Sequence, residues 1–203
     1  MAETKGFTLW FTGLPCSGKT TVAEIVEKEL RNRGLNVESL DGDEIRKHFS
    51  KGLGFSKEDR DTHILRMGFV SKLLSRNGVA VLSAFVSPYR DIRDQIRKDM
   101  DGFIEIFVKC PVEVCIERDV KGMYKKALAG EIKNFTGVSD PYEEPLNPEL
   151  ILETDKEDVE ESAQKVLQML ESQGYIPASE ASTGYTAEEE EKVKKRLKAL
   201  GYI

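Results

Sequence analysis

Apolar residues recur along this chain in two alternating rhythms. Phe7-Thr8-Leu9-Trp10-Phe11-Thr12 is a short aromatic and β-branched run halted by a glycine, the pattern of a buried strand in a parallel sheet. Val22, Ile25, Val26 and Leu30 follow at helical spacing and predict a helix over Thr20 to Arg33, with Gly34 as its C-cap. Further strands are expected at Val37 to Leu40, Val79 to Ala84, Phe103 to Val108 and Leu150 to Glu153. Between and after them, helices are expected near Glu44 to Phe49, Ser56 to Asn77, Asp91 to Met100, Val112 to Arg118 and Glu157 to Ser172. Ser56 followed by Asp59 reads as an N-cap. Strands alternating with helices predict an α/β fold, a parallel sheet covered on both faces.

The polar stretch Asp119 to Pro148 is too long for an ordinary connector and reads as a lid. After Pro177 the chain turns to small and polar residues, so 1–177 is expected as one domain and 178–203 as a linker and tail helix of unknown role. In that tail, Thr186 and Glu189 resemble a capping box, and Val193, Leu197 and Leu200 make a thin apolar stripe over Glu188 to Leu200.

Gly13-Leu14-Pro15-Cys16-Ser17-Gly18-Lys19-Thr20 matches G-x-x-x-x-G-K-[ST] in full, between the strand and the helix that the motif requires. Backbone N–H groups of such a loop surround phosphates at the positive end of a helix. Lys19 is the expected partner of the β- and γ-phosphates of ATP, and the Thr20 hydroxyl the expected Mg²⁺ ligand. The architecture is thus that of a three-layer P-loop nucleoside-triphosphate hydrolase fold, nucleoside-kinase-like, with a lid. No Asn-Lys-x-Asp guanine signature occurs, and no apolar strand ends in Asp-Glu, which argues against a GTPase and a motor ATPase.

The second strand ends in Leu40-Asp41-Gly42-Asp43, a turn that puts two carboxylates at the carboxyl edge of the sheet beside the phosphate loop. One can serve Mg²⁺ or its water, the other an attacking hydroxyl. Arg46, Arg60, Arg66 and Arg90 follow, with forks suited to phosphate or sulfate oxygens, and Phe55 and Phe135 lie in polar loops where stacking on a base competes with packing.

Composition narrows the partners. A formal net charge of -6 opposes sequence-blind binding of nucleic acid, no apolar run approaches membrane-spanning length, and the N-terminus lacks the pattern of a secretory signal. Cys16, Cys110 and Cys115 form neither a disulfide framework nor a metal-ligand spacing. A cytoplasmic protein is expected.

From Gly6 to Leu170 the chain resembles the adenylylsulfate kinase family. The resemblance rests on Gly13 to Thr21, Leu40 to Arg46, Leu53-Gly54-Phe55-Ser56 with Asp59-Arg60, Phe85 to Arg90, Arg118 to Ala127, Gly130 to Lys133 and Phe135-Thr136-Gly137. It implies transfer of the ATP γ-phosphoryl group to the 3′-hydroxyl of adenylyl sulfate. ATP would lie on Gly13 to Thr21, including Thr21. Arg46, Arg60, Phe85 and Val86 would hold the acceptor, its adenine between Phe55 and Phe135, with Lys121 near the transferring phosphate or the sulfate. Asp43 would be the base, Asp41 its support, and Ser87 a site residue that direct in-line transfer does not require to be phosphorylated. The resemblance also implies a homodimer and leaves association with ATP sulfurylase open. His63 and Asn134 stand where many members carry asparagine and glycine; His63 still offers a hydrogen bond to the acceptor and brings expected pH dependence near neutrality. Two rivals remain, a P-loop kinase of another small alcohol or nucleoside and a nucleotide-binding regulatory module.

Overall fold

A computed structural model describes residues 5–178, apart from the side chains of Asp43, Glu44 and Lys47. The expected tail helix and most of the linker before it lie outside the described residues. The elements run β1 (Phe7–Thr12), α1 (Lys19–Asn32), β2 (Val37–Asp41), α2 (Gly42–Phe49), α3 (Lys57–Ser75), β3 (Ala80–Ala84), α4 (Arg90–Asp99), β4 (Phe103–Lys109), α5 (Val112–Arg118), α6 (Met123–Leu128), β5 (Leu150–Glu153) and α7 (Val159–Ser172). The chain divides into two units, Met1–Met169 and Leu170–Ile203. In the second, α7 ends in a turn closed by Gly174 N–H to Glu171 O at 3.1 Å and Tyr175 N–H to Leu170 O at 2.9 Å. The phosphate-loop motif, Gly13 to Thr20, lies in the first.

Five parallel strands form one sheet in the order β2-β3-β1-β4-β5. Every residue of β1 is buried, which is why its sequence shows no polar face. Side chains alternate across a strand, so Trp10 points to one face and Leu9 and Phe11 to the other. On the Trp10 face, Ile64 and Met67 of α3 and Ile96 of α4 close over Leu40, Val81, Phe85 and Phe103. Helix α1 lies against β1, β2 and β3 and buries Val22, Ala23, Val26 and Leu30. Each large apolar side chain so enclosed contributes about 1.5–3 kcal/mol.

Capping explains where α3 starts. The Ser56 Oγ accepts from Asp59 N–H at 3.2 Å, and Glu58 and Asp59 place negative charge in the first turn. One expected turn is absent: β2 runs through Asp41 directly into α2, so Gly42 and Asp43 belong to the first helical turn. An acidic residue there is favoured by the helix dipole.

Candidate active site

The phosphate loop spans the gap between β1 and α1, and its shape follows from residues that tolerate positive φ. Gly13 has φ 155, and a Cβ on it would lie 2.4 Å from Val108 O; Gly18, at φ 97, precedes α1. Cys16 takes φ 62 between them and packs against Cys115, Tyr124 and their neighbours. The loop closes on itself through Ser17 N–H to Leu14 O at 3.2 Å. Thr154, just after β5, pins it from outside by donating to Ser17 O at 2.7 Å, and Arg118 in turn donates to Thr154 O at 2.5 Å.

Lys19 is buried under this loop. Its ammonium donates to Gly13 O at 3.0 Å, Leu14 O at 2.6 Å and Ser17 Oγ at 3.4 Å. Burial lowers its pKa to about 8, an effect partly offset by the nearby Cys115, Cys16 and Cys110. Burial also pushes the Cys115 thiol up to about 12, so it stays protonated.

The carboxyl ends of three strands come into line beside the loop. Asp41 of β2 is level with Ala84 of β3, which is level with Phe11 of β1. The Thr20 hydroxyl at the start of α1 donates to Asp41 Oδ2 at 3.4 Å. Loop and second-strand carboxylate therefore face one space. Asp43 is the second residue of α2, two beyond Asp41; its side chain is outside those described.

Beyond Ala84 the chain runs through Phe85, Val86 and Ser87 to Pro88. Phe85 is buried against Trp10, ring centroids 5.4 Å apart, and a Cβ on Gly42 would come within 3.1 Å of its ring. His63 meets Phe85 edge-on at 5.6 Å, and its Nδ1 shares a hydrogen with Ser50 Oγ at 2.5 Å. Burial, aided by the positive Arg46 and Arg66, lowers the His63 pKa to about 4. The expected titration near neutrality is therefore absent: His63 is a neutral, buried residue. Ser87 is buried at φ 44, and its Oγ has no hydrogen-bond partner among the described residues. Thr12, the last residue of β1, bonds Val86 O and the Tyr142 hydroxyl, each at 2.9 Å.

Arg46 and Arg60 both approach Phe55, their guanidinium carbons 4.3 Å and 5.9 Å from its ring centre. Phe55 itself is 57% exposed. Arg46 also donates to Gly54 O, and Arg60 joins two loops: it donates to Phe55 O at 3.0 Å, to Thr136 Oγ1 at 2.5 Å and to Asn134 O. Arg60 thus holds the residues on either side of Phe135, but the Phe135 ring is buried in a small core with Cys110, Cys115, Tyr124 and Ala127, 5.0 Å from Tyr124.

The segment expected as a lid has two parts. Asp119 caps α6, its carboxylate accepting from Tyr124 N–H at 2.9 Å and Lys125 N–H at 3.0 Å. Lys121 rides on the intervening turn, closed by Gly122 N–H to Asp119 O at 2.9 Å. Tyr124 then donates its hydroxyl to Pro15 O at 3.1 Å, tying α6 to the phosphate loop. From Asn134 onward the segment is a strap rather than a loose loop. Tyr89 donates to Asp140 at 2.8 Å, Glu143 N–H to Pro88 O at 2.8 Å, and Arg90 N–H to the Glu143 carboxylate at 2.8 Å.

The model of the family described as adenylylsulphate kinase matches residues 5–153. The chain belongs to that family. An adenylyl-sulfate kinase of Rippkaea orientalis is 58% identical over 172 residues, 85% of this chain and 95% of that protein. A Sorangium cellulosum protein, "Probable bifunctional SAT/APS kinase 2", is 56% identical over 172 residues, 85% of this chain but 30% of its own length. Among solved structures, the Mycobacterium tuberculosis APS kinase in complex with AMPPNP and APS superimposes with a TM-score of 0.78 at 42% identity, covering 82% of this chain and 98% of that one. The adenylylsulphate kinase architecture is therefore the one described above, a parallel sheet between helices.

Motif reading missed Thr154, Tyr124, Tyr142 and Arg93, which hold the site rather than line it. Arg93 alone left a signal. It occupies one position of the buried stripe Tyr89, Arg93, Ile96 and Met100, where a charge is out of place unless paired.

Proposed function

We propose that this protein transfers the γ-phosphoryl group of ATP to the 3′-hydroxyl of adenylyl sulfate, giving 3′-phosphoadenylyl sulfate and ADP. The observation that carries the reading is the contact of Thr20 with Asp41, which joins the phosphate loop to the carboxylate edge. A sugar hydroxyl presented at that edge meets a terminal phosphate held by the loop. In the reaction the bond from γ-phosphorus to the β-bridging oxygen breaks, a bond to O3′ forms, and the O3′ proton passes to a carboxylate. Asp43 is the proposed base and Asp41 its support.

Lys19 supplies positive charge to the β- and γ-phosphates, exchanging its bonds to Gly13 and Leu14 for bonds to them. Thr20 and Asp41 offer two hard oxygen donors 3.4 Å apart, a fit for Mg²⁺. Among the described residues no group of three or more His, Cys, Asp or Glu could hold a metal, so phosphate oxygens and water would complete its shell. When bound, Mg²⁺ neutralises charge on the phosphates. Arg46, Arg60, Phe85 and Val86 hold the acceptor, with the exposed Phe55 against one face of its adenine; Phe135 reaches the other face only by leaving its core beside Tyr124. Lys121 neutralises charge near the transferring phosphate or the sulfate, and Asn134, through its carbonyl, fixes Arg60. His63 contributes by shaping Phe85, and Ser87 lines the site without forming a phosphoenzyme.

A homodimer belongs to the same reading. Phe49 and Phe69 are 50% and 62% exposed, and Arg66 of α3 bonds Phe49 O at 2.9 Å, linking their elements. ATP sulfurylase is the candidate protein partner, on the precedent of the bifunctional relative. Free thiols at all three cysteines suit a reducing cytoplasm, and no helix among the described residues is long and apolar enough to cross a membrane. The test is direct: purified protein with MgATP and adenylyl sulfate should form 3′-phosphoadenylyl sulfate, and Asp43→Asn should lower turnover by about 10² or more. Absence of the product would refute the reading.

A further inference from the structure

Arg93 is among the most enclosed side chains of the protein, 1% exposed, yet it carries a charge. Its Nε donates to Glu105 Oε1 on β4 at 2.7 Å, and Glu105 is itself buried. The rest of the guanidinium is used on two stretches of irregular chain: one amino group donates to Ser87 O at 2.5 Å and the other to Glu143 O at 2.6 Å. The Tyr142 ring lies 5.7 Å from the guanidinium carbon and stacks on Phe107. Behind Glu105, Arg97 adds a second cation at 3.1 Å and pairs with Glu149.

Stability is a poor account of this arrangement. Taking an ion pair out of water costs about what the pair returns, and apolar residues of equal volume between α4 and β4 would hold the fold as well. Apolar residues cannot dictate the direction of two carbonyl groups, whereas a rigid planar fork can. One of those carbonyls belongs to Ser87, which is held at φ 44, where a non-glycine residue is strained by about 1–3 kcal/mol. The other belongs to the strap. Between them Thr12, the last residue before the phosphate loop, bonds Val86 O and Tyr142.

We infer that Arg93 is a positioning residue for the acceptor half of the site: with Glu105 as its counter-ion, it fixes the Phe85 to Ser87 loop and the Glu143 strap in one register. This rests on the proposed kinase activity. The phosphate loop receives no bond from Arg93, so the effect is directed to one substrate. In Arg93→Lys the ammonium keeps the charge beside Glu105 but lacks the fork that reaches both carbonyls.

Two variants test it, Arg93→Lys and the apolar pair Arg93→Met with Glu105→Met, each compared with the parent by steady-state kinetics in both substrates and by thermal unfolding. Expected is a rise of about tenfold or more in KM for adenylyl sulfate, a change under about threefold in KM for ATP, and cooperative unfolding. The apolar pair should restore any lost melting temperature but not the KM. An unchanged KM for adenylyl sulfate in a folded variant overturns the inference, as do equal changes in both KM values. Failure of both variants to fold would assign the pair to stability alone and also overturn it. Absence of turnover in the unmutated protein would instead count against the proposed function.

Discussion

Raising the pH should disable ATP capture before it disables catalysis, because the lysine of the phosphate loop is buried. In the protein without nucleotide, Lys19 has a pKa of about 8 rather than 10.5, with burial as the main cause. The sign follows from the charge: burial penalises the ammonium, so the proton leaves at lower pH than in the unfolded chain. At pH 7 such a group is ~90% protonated and at pH 9 ~10%, whereas an unperturbed lysine stays ~96% protonated at pH 9. kcat/KM for ATP should therefore fall about tenfold between pH 7 and pH 9. kcat should fall much less, since a bound polyanion restores the proton; the displaced pKa corresponds to about 3 kcal/mol that phosphate contact can recover. The assay is direct chromatography of ADP formed from about pH 6.5 to about pH 9.5, with calorimetry in two buffers to detect proton uptake on MgATP binding above pH 8. Lys19→Arg, which cannot lose its charge in this range, should be less active but level across it. A wild-type kcat/KM for ATP that stays flat to pH 9, or a kcat that falls in parallel, would refute the reasoning.

Three other outcomes follow from local contacts. His63 is neutral when folded and has its pKa lowered to about 4, so between pH 6.5 and 4 the unfolded chain takes up a proton that the folded one refuses; stability should drop as pH falls through that window, and His63→Asn should reduce the slope in urea titrations. Ser56→Ala removes the cap of α3 and should lower unfolding stability by about 1 kcal/mol, read by chemical denaturation; no change would mean that Asp59 N–H finds another acceptor. Tyr124→Phe removes the hydroxyl bond to Pro15 O and should raise KM for ATP about three- to fivefold with little effect on KM for adenylyl sulfate, as measured by initial rates.

The donor half of the site was legible because its chemistry is built from backbone and glycine, and those leave a spaced signature. Strand edges were also readable, since β1 and β4 are buried along nearly their whole length and display unbroken apolar runs. Asp41-Gly42-Asp43 shows where local chemistry misleads: the same residues suit a turn or a first helical turn, and the packing of Gly42 on Phe85 goes with the latter. The strap was read as part of a lid because its anchors, Tyr89 to Asp140 and Glu143 N–H to Pro88 O among them, join residues far apart in sequence and carry no periodicity. For His63 the residue type suggested titration near neutrality, while burial lowers its pKa to about 4; burial is a property of the assembled fold. Arg93 was visible as an anomaly in an apolar stripe, but its partners lie on elements far away in sequence.

The order of the sheet sets how firmly each strand end is held. β1 has a neighbour on each side, whereas β2, which ends at Asp41, is an edge strand among the described residues, hydrogen-bonded to β3. Amide exchange at Leu9 and Trp10 thus requires something close to global unfolding, while the β2 margin can open locally. β3 is flanked as well, so the Phe85 to Ser87 stretch that follows it shares the firmness of the phosphate loop, while the Asp41 margin and the start of α2 lie where the backbone yields at less cost.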